Sequence, residues 1–192
     1  VHRDLRFALQ QSCDFDQESI SDTMPPEKVG FESSIVLENV FYRYSADQQW
    51  AVRDVSIEIR KGTAVAFMGS SGAGKSTLIE LLVGLINPDK GKILIDGYDL
   101  RIKRPMWQKK IGYVPQFIYL LDDTIRRNVA FGLSDAEIDE QKVAAALRIA
   151  RLEQVVENFP DKLDTMIGEG GVRLSGRERQ RLGIARAMYH DP

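Results

Sequence analysis

The stretch Gly69-Ser70-Ser71-Gly72-Ala73-Gly74-Lys75-Ser76-Thr77 decides how this chain is read. It fits the phosphate-binding loop pattern G-x-x-x-x-G-K-S/T. The apolar run Ala64-Val65-Ala66-Phe67-Met68 precedes it, and Leu78-Ile79-Glu80-Leu81-Leu82-Val83 follows. The loop is therefore expected between a buried strand and the start of a helix. Successive backbone N–H groups at such a helix start, with its partial positive charge, cradle phosphate oxygens. Glycines let the backbone approach and turn without a Cβ in the way. Lys75 is placed to reach the β- and γ-phosphates, and the Ser76 hydroxyl to ligate Mg²⁺. A Gly/Ser-rich turn without a ligand is the bland alternative, and the strand-to-helix context weighs against it. The sequence predicts a nucleoside triphosphate site.

The rest of the chain sets bounds on that site. Its 192 residues suffice for one substantial core with a lobe attached. With 43% hydrophobic and 28% charged residues and a net charge of −2, nothing in the balance points to a nucleic-acid surface. One cysteine, Cys13, excludes an internal disulfide and fits a reducing compartment. No apolar run approaches the roughly 18 residues of a membrane span. The longest, Leu78 to Ile86, is interrupted by Glu80 and Gly84. There is no signal peptide pattern. The chain opens on Val1 and stops at His190-Asp191-Pro192 just after an apparent helix, so it is expected to be a piece of something longer.

Residues 1–33 carry little apolar periodicity, and the polar, acidic stretch from Asp14 to Gly30 with Pro25-Pro26 reads as a linker. Strands are expected at Ile35 to Val40, Val52 to Ile59, the run feeding the phosphate loop, Lys92 to Ile95 and Ile111 to Gln116. Turns are expected at Asn87 to Gly91 and at Asp96-Gly97. Beyond Gln116 the pattern becomes helical. Asp122 or Asp123 is expected to cap a helix from Thr124 to Val129, and Ser134-Asp135-Ala136-Glu137 to open another. Gln141 to Asn158 is expected as one longer stretch, with Val143, Leu147, Ala150 and Val155 near one face. A loop from Asp161 to Gly171 precedes a last helix from Ser175 to Tyr189.

A second motif carries chemistry. Leu174-Ser175-Gly176-Arg177-Glu178-Arg179-Gln180-Arg181, followed by Gly183-Ile184-Ala185-Arg186-Ala187, resembles the signature motif L-S-G-G-Q of the ATP-binding cassette ATPases. Ser175 is a good N-cap, and Ser175 with Glu178 makes a capping box. The exposed N–H groups of such a helix start suit an anion. The resemblance covers about residues 34–192. It implies an α/β fold: a RecA-like P-loop NTPase core with an antiparallel β subdomain and an inserted helical subdomain, incomplete at the C-terminus. It divides the chain into a 1–33 linker from an upstream transmembrane domain, a 34–116 nucleotide-binding core and a 117–190 helical subdomain.

By the same resemblance Tyr44 matches the family's adenine-stacking aromatic. Gly69 to Thr77 hold the phosphates, with Lys75 neutralising transferred charge. Gln116 matches the glutamine that senses Mg²⁺ and the attacking water. Ser175 and Gly176 would hold the γ-phosphate of ATP bound to a partner. Gly168-Glu169-Gly170-Gly171 resembles the loop by which exporters contact the transmembrane domain. Phe117, Ile118 and Tyr119 are either part of a docking groove for that domain or core. His2 and His190 attract no role. The implied cofactors are ATP and Mg²⁺. The implied partners are a second ATPase domain, head to tail, and a transmembrane domain, with no nucleic acid. The implied place is the cytoplasmic face of a membrane, such as the bacterial inner membrane.

Two departures stand out. Arg177 replaces the second signature glycine and Glu178 the glutamine, which puts that half-site in doubt. The sequence also stops before the family's next strand, with its Mg²⁺-orienting Asp and general-base Glu, so the 192 residues are expected to bind nucleotide weakly and hydrolyse almost nothing. The linker-like segment 1–33, the loop at Glu169 and the order of motifs favour an exporter. Phe117 to Gly132, especially Tyr119 to Asn128, is similar to lipid-linked oligosaccharide flippases and bacterial lipid or polysaccharide exporters, and peptides and drugs stay open as substrates. Three alternatives stay open: the ATPase subunit of an importer, a soluble cassette in translation or DNA repair, and a non-hydrolysing half of an asymmetric pair.

Overall fold

The computed structural model describes residues 31–168 and 174–192. Four strands form one antiparallel sheet in the order β2-β1-β3-β4: β1 (Ser34–Tyr42), β2 (Val52–Arg60), β3 (Lys90–Ile95) and β4 (Tyr98–Asp99). The sheet follows from alternation, and its irregularities from the places where alternation slips. In β2, Val55, Ile57 and Ile59 turn inward while Ser56, Glu58 and Arg60 stay exposed. In β1, Leu37 and Val40 are both buried although three residues apart. The register shifts between them, where Asn39 adopts φ 46°. That bulge brings both apolar side chains to one face. Opposite it, a Cβ on Gly91 would lie 2.3 Å from the carbonyl oxygens of Glu38 and Asn39, so only glycine fits.

Helix α1 (Lys75–Leu82) lays Leu78, Leu81 and Leu82 into the same core as Leu37, Val40, Ile93 and Ile95. Gly84, at φ 72°, stops it: Gly84 N–H donates to the Leu81 carbonyl and Leu85 N–H to that of Glu80. Helix α2 (Leu100–Gln108) is capped by Asp99, whose carboxylate accepts from Arg101 N–H. Trp107 Nε1 donates to the Leu82 carbonyl at 2.8 Å and fastens α2 to the end of α1.

A second core lies among helices α3 (Ile125–Val129), α4 (Glu140–Ile149), α5 (Glu153–Glu157) and α6 (Gly176–Met188). Leu120, Ile125, Val129, Val143, Leu147, Leu152, Ile167 and Leu182 fill it.

Several expectations need correction. The run Ala64 to Met68 is not a buried strand: it lies outside the sheet, with Val65 50% and Met68 91% exposed. Ile111 to Gln116 likewise forms no strand, and Tyr113 and Val114 are exposed. Apolar runs of this kind are buried on both faces only when neighbouring strands flank them. Among the described residues no strand pairs with either. The stretch Gln141 to Asn158 is two helices, not one. Arg151 takes φ 55°, with Arg151 N–H donating to the Arg148 carbonyl and Leu152 N–H to that of Leu147. This left-handed closure, made without glycine, turns Leu152 and Val156 into the core. Thr124, not Asp122 or Asp123, caps α3, its hydroxyl accepting from Arg127 N–H at 3.2 Å. Residues 1–30, which hold most of the expected linker, and the Glu169–Gly171 part of the expected docking loop lie outside the described residues.

Candidate functional site

Gly74 sets the geometry of the phosphate loop. It adopts φ 78° immediately before α1, and a Cβ there would lie 2.0 Å from the Ala51 carbonyl oxygen. No other residue could turn the chain here while passing so close to the start of β2. The Lys75 ammonium folds back over the loop and donates to the Gly69 carbonyl at 2.9 Å and the Ser70 carbonyl at 2.6 Å. Phosphate oxygens reaching Lys75 would exchange places with two neutral acceptors, and charge-assisted bonds are the stronger ones.

A cavity of about 760 Å³ lies between α2 and α6, lined by residues including Pro105, Tyr113, Phe131 and His190. None of the residues expected to bind nucleotide lines it. A second cavity, of about 610 Å³, is lined by Tyr44, Ala51, Ser71, Gly72, Gly74, Lys75, Ser76, Thr77 and Gln116. It thus gathers an aromatic from beyond β1, the phosphate loop, and a glutamine 39 positions after Thr77 in the sequence.

Tyr44 is 59% exposed, so its ring face is open. Its hydroxyl is anchored to Thr77 Oγ1 at 2.7 Å, and its ring meets Tyr42 edge-on at 5.2 Å between centroids. Burial raises the Tyr42 pKa above its ordinary value, with the neighbouring Tyr44 and Asp89 adding to the effect, so Tyr42 remains a neutral support. Thr77 is buried, so its hydroxyl orients Tyr44.

Gly69, Ser70 and Ala73 are not among the residues lining this cavity. The first two turn their carbonyls to Lys75, and Ala73 faces an adjoining cleft with Trp50 and Phe67. Ser175 and Gly176 do not line it either. They stand at the head of α6, where the Ser175 hydroxyl accepts from Glu178 N–H at 3.3 Å and the Glu178 carboxylate accepts from Ser175 N–H at 2.7 Å. This is the capping box the sequence predicts. Hydrogen bonds from the Ser175 hydroxyl, then from its N–H, hold the Glu178 carboxyl below the usual carboxylate range.

Sequence reasoning missed Ala51, whose carbonyl fences Gly74. An alanine at a strand entry carries no chemical signal. As for a metal, the described residues contain no cluster of three His, Cys, Asp or Glu side chains. The cavity instead offers the Ser76 hydroxyl and the Gln116 amide oxygen. Such hard, neutral oxygen donors fit Mg²⁺, which takes few protein ligands and completes its shell with phosphate and water.

A family described as "ABC transporter" matches residues 52–192. The chain belongs to the ABC transporter family. Two similar curated proteins are an ATP-dependent lipid A-core flippase of Ralstonia nicotianae, 44% identical over 80% of this chain and 26% of its own length, and the cyclolysin secretion/processing ATP-binding protein CyaB of Bordetella pertussis, 41% identical over 83% of this chain and 22% of its own. Among solved structures, a bacterial Atm1-family ABC exporter with ATP bound is similar over 98% of this chain and 33% of that one, at 33% identity and a TM-score of 0.79. The chain spans about a quarter of the length of the curated relatives it matches. The fold is therefore that of an ABC nucleotide-binding domain, a P-loop NTPase core with an antiparallel sheet and a helical lobe.

Proposed function

We propose that these residues are the ATP-binding domain of an ABC exporter, a protein that couples ATP binding and hydrolysis to movement of a substrate across a membrane. The observation that carries the reading is the single cavity bringing Tyr44, Ser71, Gly72, Gly74 to Thr77 and Gln116 together. Tyr44 stacks the adenine, the N–H groups at the head of α1 bind the phosphates, and Lys75 neutralises charge that develops on the transferred phosphoryl group. Ser76 and Gln116 hold Mg²⁺, which when bound neutralises charge on the phosphate oxygens. Gln116 also orients the attacking water.

None of the described residues lining the cavity is a carboxylate, and in this reading the general base is supplied from outside that lining. These residues by themselves bind ATP and hydrolyse almost none. Ser175 and Gly176, standing apart from the cavity at a capped helix head, serve the ATP of a second domain in a head-to-tail pair. In this reading 1–33 is a linker from a transmembrane domain, 34–116 the nucleotide-binding core and 117–190 the helical subdomain. The domain works at the cytoplasmic face of a membrane; no helix among the described residues is long and apolar enough to cross one. Phe117 at 84% and Tyr119 at 70% exposure offer the transmembrane domain an apolar contact. The likeness to a lipid A-core flippase favours a lipid or lipid-linked saccharide as substrate.

The test uses the complete protein carrying these residues, reconstituted into lipid vesicles. ATP hydrolysis and ATP-dependent movement of a labelled lipid are both expected, and both should vanish in Lys75→Ala. Lipid movement that survives that substitution would refute the reading.

A further inference from the structure

Arg186, in the last turn of α6, carries a charge that no carboxylate meets among the described residues. Its Nε donates to the Asn128 carbonyl at 2.9 Å, Nη1 to the Tyr119 carbonyl at 2.8 Å, and Nη2 to Asn128 Oδ1 at 3.1 Å. Its guanidinium carbon stands 4.5 Å over the Phe131 ring. Burial lowers its pKa from the ordinary arginine value. Holding a half-buried cation against neutral acceptors adds little stability, since partial burial opposes the charge and no described carboxylate offsets it. What the planar, five-donor fork supplies is fixed geometry.

That geometry concerns the segment leading away from Gln116. Asn128 is fully buried and staples the same segment: its Oδ1 accepts from Leu121 N–H at 2.8 Å, and its Nδ2 donates to the Leu121 and Thr124 carbonyls at 3.1 and 3.0 Å. One turn before Arg186, Gly183 lies so close to Ile118 that a Cβ would come within 2.5 Å of Ile118 Cδ1. Two separate contacts on α6 therefore grip Ile118 and Tyr119, while Asn128, itself bonded to Arg186, holds Leu121. Gln116, two positions upstream, lines the nucleotide cavity, and Ser175 heads α6.

We propose that Arg186 is a positioning residue that locks the segment after Gln116 onto α6, so that the placing of Gln116 in the nucleotide cavity follows the position of the helix that Ser175 begins. The proposal rests on the reading of Gln116 given above. The link is a chain of packed and hydrogen-bonded groups, the kind of network through which distant sites bias one another.

The experiment is a double-mutant cycle in the complete protein, with kcat and KM for ATP measured across a range of Mg²⁺ concentrations. Arg186→Met keeps the stem and the contact with Phe131 but removes every donor. It is expected to lower kcat about tenfold with KM unchanged. Arg186→Lys, able to reach one acceptor, should recover part of the loss. In a Gln116→Ala background, Arg186→Met should add nothing further. Additive effects on kcat, or a rise in KM at unchanged kcat, would overturn the proposal while leaving the reading of Gln116 standing. A wild-type kcat in Gln116→Ala alone would overturn that reading and this proposal with it. Should Arg186→Met fail to fold, Arg186→Lys carries the same cycle with Gln116→Ala.

Discussion

Gly74→Ala should damage this protein far more than Gly72→Ala, although the two glycines are two positions apart in one loop. Both adopt left-handed backbone, φ 78° and 79°. An alanine in that region costs about 1–2 kcal/mol at either position. At Gly72 nothing stands within 4 Å of where the Cβ would go, so the conformational cost is the whole effect. At Gly74 the Cβ would fall 2.0 Å from the Ala51 carbonyl oxygen, and 3.7 Å from Val52 Cγ2. The loop and the start of β2 would have to part by more than an ångström, and overpacking of this kind adds about 1–3 kcal/mol. The expected total for Gly74→Ala is therefore about 2–5 kcal/mol. Urea denaturation followed by tryptophan fluorescence would measure both variants, and Trp50, next to Ala51, would report the displacement in its native-state emission. Equal destabilisation by the two alanines, or unchanged Trp50 emission in Gly74→Ala, would refute the claim that this close approach shapes the loop.

Tyr44→Ala should weaken ATP binding by about 1–3 kcal/mol through loss of the stacking face, whereas Tyr44→Phe, which loses only the bond to Thr77, should cost about 1 kcal/mol; titration with a fluorescent ATP analogue checks both. Asp96→Asn should destabilise the protein at neutral pH by about 1 kcal/mol. Burial opposes ionisation of Asp96, but N–H donors from Glu32, Ser34 and Ser33 outweigh it and hold the carboxyl below its usual range. Its contribution to stability is thus complete above the unfolded-state pKa and disappears as the pH falls through the folded one, so wild type and variant should converge in acid melts. Glu178→Gln removes a negative charge from the head of α6 and should tighten ATP-dependent association of two domains about twofold to fivefold, read by sedimentation at varied ATP concentration.

The local rules were legible wherever short-range chemistry decides the structure. The alternation of β2, the capping box of Ser175 and Glu178, and the glycine pattern of the phosphate loop all act over a few residues. What stayed hidden depends on groups far away in sequence. Ala64 to Met68 reads as a buried strand by composition, yet burial of a strand is a property of its neighbours. The helix break at Arg151 had no glycine to announce it. Asn128 and Arg186 are polar residues on helices, which composition assigns to a solvated face, yet one is fully buried and the other ties two segments together. Tyr44 and Gln116 could be placed beside the phosphate loop only by resemblance. No periodicity would have brought them to one cavity.

The most direct test of the central claim is to find where ATP binds. An ATP analogue with a photoreactive azide on its adenine would be crosslinked to the purified protein in the presence of Mg²⁺, and the labelled peptide identified by mass spectrometry. Labelling at or beside Tyr44, suppressed by excess ATP and lost in Lys75→Ala, is the predicted result. Labelling of residues around the larger cavity between α2 and α6, such as Tyr113 or Phe131, or labelling indifferent to Lys75→Ala, would contradict the account.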